Sequence, residues 1–296
     1  MSALSRRQIN GAALLLLTLS ACGQPTGVAA SQTLYFSAIP DQNRTALEAR
    51  YALVADYLTE HMGVQIEYVP TTSYEASVEA FVGGDLHLAW FGGVTGVQAR
   101  RRVPGAEAIA QGKVDPTYVS YFIANVATGL EPSEDFPVGL EGLSFTFGSP
   151  SSTSGRVMPE FFVREATGKL PAEFFAGDTN VYSNSHDKTA KQVESGVVAA
   201  GALSYKVYDR MVAEGKIDPA KCRKIWTTPT YADYNWSVRP DLDSSFGEGF
   251  TARLKQTLID CKDPQVLKAL DREEGLISAS NADFAALAET MRSVDM

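Results

Sequence analysis

From residue 34 to about residue 93 the chain alternates β-prone runs with helical ones, and few architectures accept that order. Leu34 to Ile39 has a strand pattern that stops at Pro40, after which Leu47, Tyr51, Val54, Ala55 and Leu58 recur at helical spacing until Gly63. Val64 to Val69 alternates as a second strand. Ala76, Val78, Ala80 and Phe81 suit a second helix, and Leu86 to Phe91 is an apolar third strand stopped by Gly92-Gly93. Strand, helix, strand, helix, strand predicts a parallel sheet with covering helices.

The same order returns later. Leu143 to Phe147 reads as a strand, Gly155 to Thr167 as a helix, Asn180 to Tyr182 as a short strand and His186 to Ser195 as a helix. Val198 to Ser204 is a buried strand, Lys206 to Glu214 a helix and Lys224 to Thr227 a strand. The halves share no sequence repeat, so the expectation is two α/β lobes of similar build. Tyr121 to Val126 reads as a strand crossing between them and Thr230 to Val238 as the return, with helical patterns from Phe246 to Leu258 and Ala282 to Met291. Lobe 1 is expected to comprise residues 33–123 and 236–296, and lobe 2 residues 124–235. Two such crossovers make a hinge over a cleft. Ligands of open α/β sheets sit beyond the carboxyl ends of strands, so the loops there are the ones to inspect.

Ahead of the lobes, Arg6 and Arg7 precede an apolar run from Ala12 to Leu19, and Leu19-Ser20-Ala21-Cys22 closes it. A positive start, a short apolar stretch and small residues before a cut describe a secretory signal. The cysteine after the cut resembles the bacterial lipobox, in which the thiol is diacylated. The expectation is a signal peptide over residues 1–21, lipidation at Cys22 and a linker over 22–32. The rival readings are an ordinary signal peptide with an incidental cysteine, and a membrane span, for which the run is short of the ~20 residues needed. On the lipobox reading the protein is extracytoplasmic, anchored to the membrane through lipid alone.

Charge narrows the partners. The chain has 26 Lys and Arg against 35 Asp and Glu, a formal net charge of -9, and loss of Arg6 and Arg7 with the leader makes the mature body more negative still. A general basic field for nucleic acid or an anionic membrane is excluded. An anionic ligand would have to be held by local dipoles and hydrogen bonds. Cys222 and Cys261 lie in a compartment that permits disulfides, but spacing leaves their pairing open. His61, His87 and His186 have no metal-ligand spacing, and neither a metal nor a cofactor is expected.

Candidate ligand groups follow strands. Gly148-Ser149-Pro150-Ser151-Ser152-Thr153-Ser154-Gly155-Arg156 opens a helix, where free N–H groups and hydroxyls suit an oxyanion. A Ser-rich N-cap without a ligand is the plain alternative. It is neither a nucleotide P-loop, lacking the Gly-Lys-Ser/Thr ending, nor a nucleophile elbow. Asp41 and Gln42 start a helix after the first strand, Tyr74 follows another strand end, and Phe91-Gly92-Gly93 lets backbone approach a ligand. His186 opens a helix as a possible donor. Ser204 and Tyr205 end one strand, and Thr228 and Tyr231 follow another.

Taken in order, Phe36 to Gln42, Val69 to Tyr74, Leu88 to Gly93, Gly148 to Gly155 and Ser185 to Thr189 resemble the phosphate, phosphite and phosphonate substrate-binding proteins of ABC importers. The likeness spans nearly all of the mature chain. It implies a two-lobed periplasmic-binding-protein fold, type II-like, that closes on its ligand, and it implies that Tyr74, Ser151 to Ser154 and His186 contact the oxyanion head. Pro229 to Pro240 and Ala202 to Asp209 are similar to a branch associated with selenate transport. Where phosphonate binders place acids for an aminoalkyl tail, Ser204 and Tyr205 stand here, which favours a compact anion. The expectation is a monomeric capture protein that serves an ABC permease and its ATPase. A fully ionised oxyanion offers only acceptors, so donors suit it and a carboxylate repels it. A sensor subunit is one alternative, and an enzyme is another, although no Ser or Cys has a visible base beside it.

Overall fold

The structure is a computed structural model that describes residues 32–178 and 182–296. The leader, Cys22 and residues 180 and 181 of the expected short strand lie outside the described residues. Among these, no helix is long and apolar enough to cross a membrane.

The first sheet is built as the alternation predicts and then extended. Strand β1 (Leu34–Ala38) leads into helix α1 (Arg44–Met62), which Asn43 caps by accepting the Ala46 N–H at 3.2 Å and Gly63 ends at φ 70°. Strand β2 (Ile66–Tyr68), helix α2 (Tyr74–Gly83), strand β3 (Leu88–Phe91) and helix α3 (Gly93–Arg102) follow. β1 pairs in parallel with both β2 and β3. Here the structure corrects the expectation of an all-parallel sheet. Strand β4 (Glu107–Gly112), not foreseen, is followed in the sheet by β9 (Asn235–Val238), which runs antiparallel between β3 and β4, and by β10 (Leu276–Ser278), antiparallel to β4. The sheet order is β10-β4-β9-β3-β1-β2.

The second sheet has the order β6-β7-β5-β8, from β5 (Ser120–Asn125), β6 (Phe145–Thr146), β7 (Ala200–Ser204) and β8 (Cys222–Thr227). Only β6 and β7 are parallel. Its helices are α4 (Met158–Thr167), α5 (Pro171–Phe174), α6 (His186–Glu194) and α7 (Tyr205–Ala213). Helices α8 (Leu242–Phe246), α9 (Phe250–Ile259), α10 (Pro264–Ala269) and α11 (Ala285–Ser293) complete the first lobe, where α1 packs on α9 and α10, and α3 on α2 and α11.

β5, which the sequence reading divides at residue 123, lies wholly in the second sheet. The chain passes between the sheets at 113–119 and 228–234, and these two segments pair at Tyr118 and Tyr231, whose N–H groups each donate to the other's carbonyl at 2.9 and 3.0 Å. Cys222 and Cys261 are both free and buried, in the apolar clusters of different lobes. Cys222 is the buried first residue of β8.

Candidate anion site in the interlobe cleft

The two lobes meet through hydrogen bonds. The His186 N–H, at the start of α6, donates to the Asp41 carbonyl at 2.9 Å, and the Val94 N–H of α3 donates to Thr153 Oγ1 at 3.0 Å. At the rim, Ser151 Oγ donates to Glu75 at 2.8 Å, Lys206 pairs with Glu274 at 2.9 Å, and Arg210 bonds both Asp271 and Gln42. This is a closed cleft.

Inside it, three buried polar atoms have no hydrogen-bond partner within the protein: Tyr74 Oη, His186 Nε2 and Asp233 Oδ2. Each is aimed by local sequence. Tyr74 is the first residue of α2, behind the Ser73 cap, so its ring stands at a helix mouth with the Ser152 hydroxyl beside it. Burial, and then the Asp41 carboxylate, hold its phenol well above the usual range, so it remains a donor. His186 accepts the Ser204 N–H at Nδ1, 3.3 Å away, which places the ring proton of the neutral tautomer on Nε2. Burial pushes the His186 pKa down and favours that neutral form.

Thr153 to Val157 form a π-turn ahead of α4, an irregularity often found where backbone is used. Ser152 caps it by accepting the Gly155 N–H at 3.0 Å, which leaves its own hydroxyl proton to donate. The Thr153 and Ser154 amides open the turn and have no acceptor within it. Gly155 allows the approach: a Cβ there would stand 2.9 Å from Ser152 Oγ and 3.2 Å from His186 Cε1.

Asp233 is the functional candidate that sequence reasoning missed. It lies in the return segment, 1% exposed, and its Oδ1 accepts the Gly93 N–H at 2.9 Å. Burial pushes its carboxyl up to about 7 against the opposing pull of Gly93 and the Thr153 hydroxyl. A Cβ at Gly92 would meet Thr153 Oγ1 at 3.3 Å and Asp233 Oδ1 at 3.4 Å, which shows how closely the two oxygens flank that glycine.

The remaining expected residues have other partners. Gln42 and Ser151 make the rim bonds, and the Asp41 N–H donates to the Ile39 carbonyl while its carboxylate accepts from Tyr234 Oη at 2.8 Å. Phe91 packs on Phe81, Gly92 caps α3, and Tyr205 packs on Tyr118. Ser204 Oγ pairs with Tyr118 Oη at 2.5 Å, Thr228 Oγ1 accepts the Ser120 N–H at 2.9 Å, and Tyr231 Oη pairs with Ser120 Oγ. Among the described residues no cluster of His, Cys, Asp and Glu could hold a metal ion. The cleft therefore offers several donors and one acceptor, Asp233 Oδ2.

Known proteins share this plan. The family model for the periplasmic substrate-binding protein of phosphonate ABC transporters matches residues 36–284. A probable ABC transporter phosphite-binding protein, PhnD1 of Prochlorococcus marinus, is 38% identical over 231 residues, 77% of each chain. The phosphate-import protein PhnD of Mycolicibacterium smegmatis is 28% identical, over 75% of this chain and 72% of its own. The solved structure of the Prochlorococcus PhnD1 in complex with methylphosphonate superposes with a TM-score of 0.84 at 35% identity, over 89% of this chain and 98% of that one. The chain belongs to the phosphonate family of periplasmic substrate-binding proteins of ABC transporters.

Proposed function

We propose that the cleft captures a small oxyanion that still carries a proton, a phosphite or short alkylphosphonate. The observation that carries this reading is the free, buried Asp233 Oδ2 beside the donors Tyr74, His186, Ser152 and the Thr153 and Ser154 amides. As a member of its family the chain is an extracytoplasmic binding protein of an ABC importer, not an enzyme. Where Asp233 is ionised, above about pH 7, a fully ionised oxyanion has no proton for its carboxylate, which speaks against selenate and sulfate as preferred ligands there. The named ligands of the Prochlorococcus relative, phosphite and methylphosphonate, support the choice. A thermal-shift panel tests it, because a ligand that binds only the folded state raises the melting temperature. Phosphite and methylphosphonate should give the largest shifts, ahead of phosphate; equal or larger shifts with sulfate or selenate would overturn the reading.

Closure then hands the ligand to a permease and its ATPase, with Cys22 supplying a lipid anchor that keeps a monomeric receptor near them. Cys22→Ser should move the protein from the membrane fraction to the soluble one; unchanged membrane retention would remove Cys22 as the anchor.

The rim bonds should tune release. Arg210 reaches Asp271 and Gln42 across the cleft, so Arg210→Ala weakens the closed form selectively. A partly buried pair of this kind contributes about 1 kcal/mol, so dissociation should speed up about fivefold, with little change in ligand-free melting. Stopped-flow release of phosphite reads it, and an unchanged rate would exclude a latch at Arg210.

A further inference from the structure

We propose that Asp115 and Arg272 are a positioning pair: together they fix Asp233, Tyr118 and Tyr234 behind the anion site and so set which protonation state of an oxyanion it accepts. This rests on the ligand reading above.

The pair is a bidentate fork. Arg272 Nε and Nη2 reach the two Asp115 carboxylate oxygens at 2.8 and 2.7 Å, and both residues are at most 2% exposed. Gly112 makes room for it, since a Cβ there would overlap the Arg272 side chain, and the Gly112 N–H donates to Asp115 Oδ2 at 2.6 Å. Arg272 comes from the segment after α10, Asp115 from the first segment between the sheets. Neither belongs to the motifs that carry the family resemblance.

Its reach into the site runs along both intersheet segments. The Asp115 carbonyl accepts the Asp233 N–H at 3.0 Å, which holds the residue whose carboxylate oxygen is free. The guanidinium lies over the rings of Tyr234, Trp90 and Tyr118, with its carbon 4.7, 5.4 and 5.5 Å from their centroids. Tyr234 passes the constraint to Asp41, and Tyr118 passes it to Ser204, whose N–H orients the His186 ring. One cation therefore braces candidate ligand groups from both lobes.

A structural brace does not need charge. A buried ion pair is often no better for stability than apolar residues of the same volume, so its presence here asks for another role. The charges facing Asp233 supply one. Asp115 disfavours a second negative charge nearby, while Arg272, the Gly93 N–H and the Thr153 hydroxyl favour it. The phenols of Tyr74, Tyr118, Tyr231 and Tyr234 also lie around Asp233. Burial holds those four phenols protonated, so they do not titrate near neutrality.

The test is the titration of Asp233 in the ligand-free full chain, followed by carbon-13 NMR of labelled aspartate carboxyls, with Asp233→Asn to assign the signal. In Asp115→Asn the midpoint should fall, because the repelling charge is gone and Arg272 remains, and methylphosphonate affinity should drop about tenfold. Arg272→Lys, which keeps the charge, should keep the wild-type midpoint while losing affinity through the missing fork. If Asp115→Asn does not fold, Arg272→Gln serves instead: the attracting charge is gone while Asp115 remains, so the Asp233 midpoint should rise. A midpoint that stays put while melting temperature falls means the pair is a brace only, and overturns the proposal. A wild type that titrates as described yet takes up neither phosphite nor methylphosphonate instead contradicts the ligand reading and leaves the pair standing.

Discussion

Asp233→Asn is expected to weaken phosphite and methylphosphonate binding about 100-fold while making the ligand-free protein more stable at pH 8. The first effect follows from losing an acceptor for the ligand's proton, since a buried hydrogen bond to a charged group is worth about 1.5–3 kcal/mol. An amide in that place also presents a donor. Sulfate and selenate, which bear only acceptors, should bind the variant better than the wild type.

The second effect is a linkage statement. The Asp233 carboxyl is raised from 3.8 to about 7 by burial, so the folded chain holds a proton that the unfolded chain has released. Wild-type stability is therefore greatest with respect to this group below about pH 4 and falls as pH rises towards 7. Asparagine does not titrate and can keep the bond from the Gly93 N–H through its own Oδ1. The stability difference should open between those pH values and then level off, with about 4 kcal/mol as its ceiling at ~1.4 kcal/mol per unit. Denaturation at several pH values checks the trend. A variant less stable than wild type at pH 8 would mean that the carboxylate is paid for elsewhere in the cleft.

His186→Ala should cost a comparable amount of affinity, about 2–3 kcal/mol, or roughly 30- to 150-fold. It removes the Nε2 donor and strands the Ser204 N–H, which loses its acceptor at Nδ1. The orphaned N–H lies in a wholly buried residue, so ligand-free stability should also fall, by about 1–3 kcal/mol. Calorimetry and melting on the same variant separate the two losses. Binding within threefold of wild type would place His186 outside the site, whatever happens to the melting temperature.

How much of this was legible in the sequence depends on how local each feature is. β1 to β3 and the helices between them follow a periodicity that a short window contains. β4 does not: Glu107-Ala108-Ile109-Ala110-Gln111-Gly112 has one β-branched residue, and it becomes a strand because β9 and β10 flank it. Nothing local reveals that β9 inserts antiparallel between β3 and β4, which is why the sheet reads as all-parallel in sequence. Tyr74, Ser152 to Ser154 and His186 were accessible because each sits at a helix start after an extended segment, where donors gather. Asp233 was not, since Tyr231-Ala232-Asp233-Tyr234 looks like an ordinary loop until burial and the N-terminus of α3 surround its carboxylate. The charge logic drawn from the sequence concerns a fully ionised anion, and the buried Asp233 carboxylate is what directs the proposal to a protonated one.

The most direct measurement is calorimetric titration of the wild-type protein at pH 8, where Asp233 is mostly ionised, with methylphosphonate and, separately, with sulfate. The account predicts a methylphosphonate Kd of about 1 μM or tighter, near -8 kcal/mol, and no measurable heat from sulfate at millimolar concentration. Sulfate binding as tight as methylphosphonate would contradict a site built around a shared proton at Asp233.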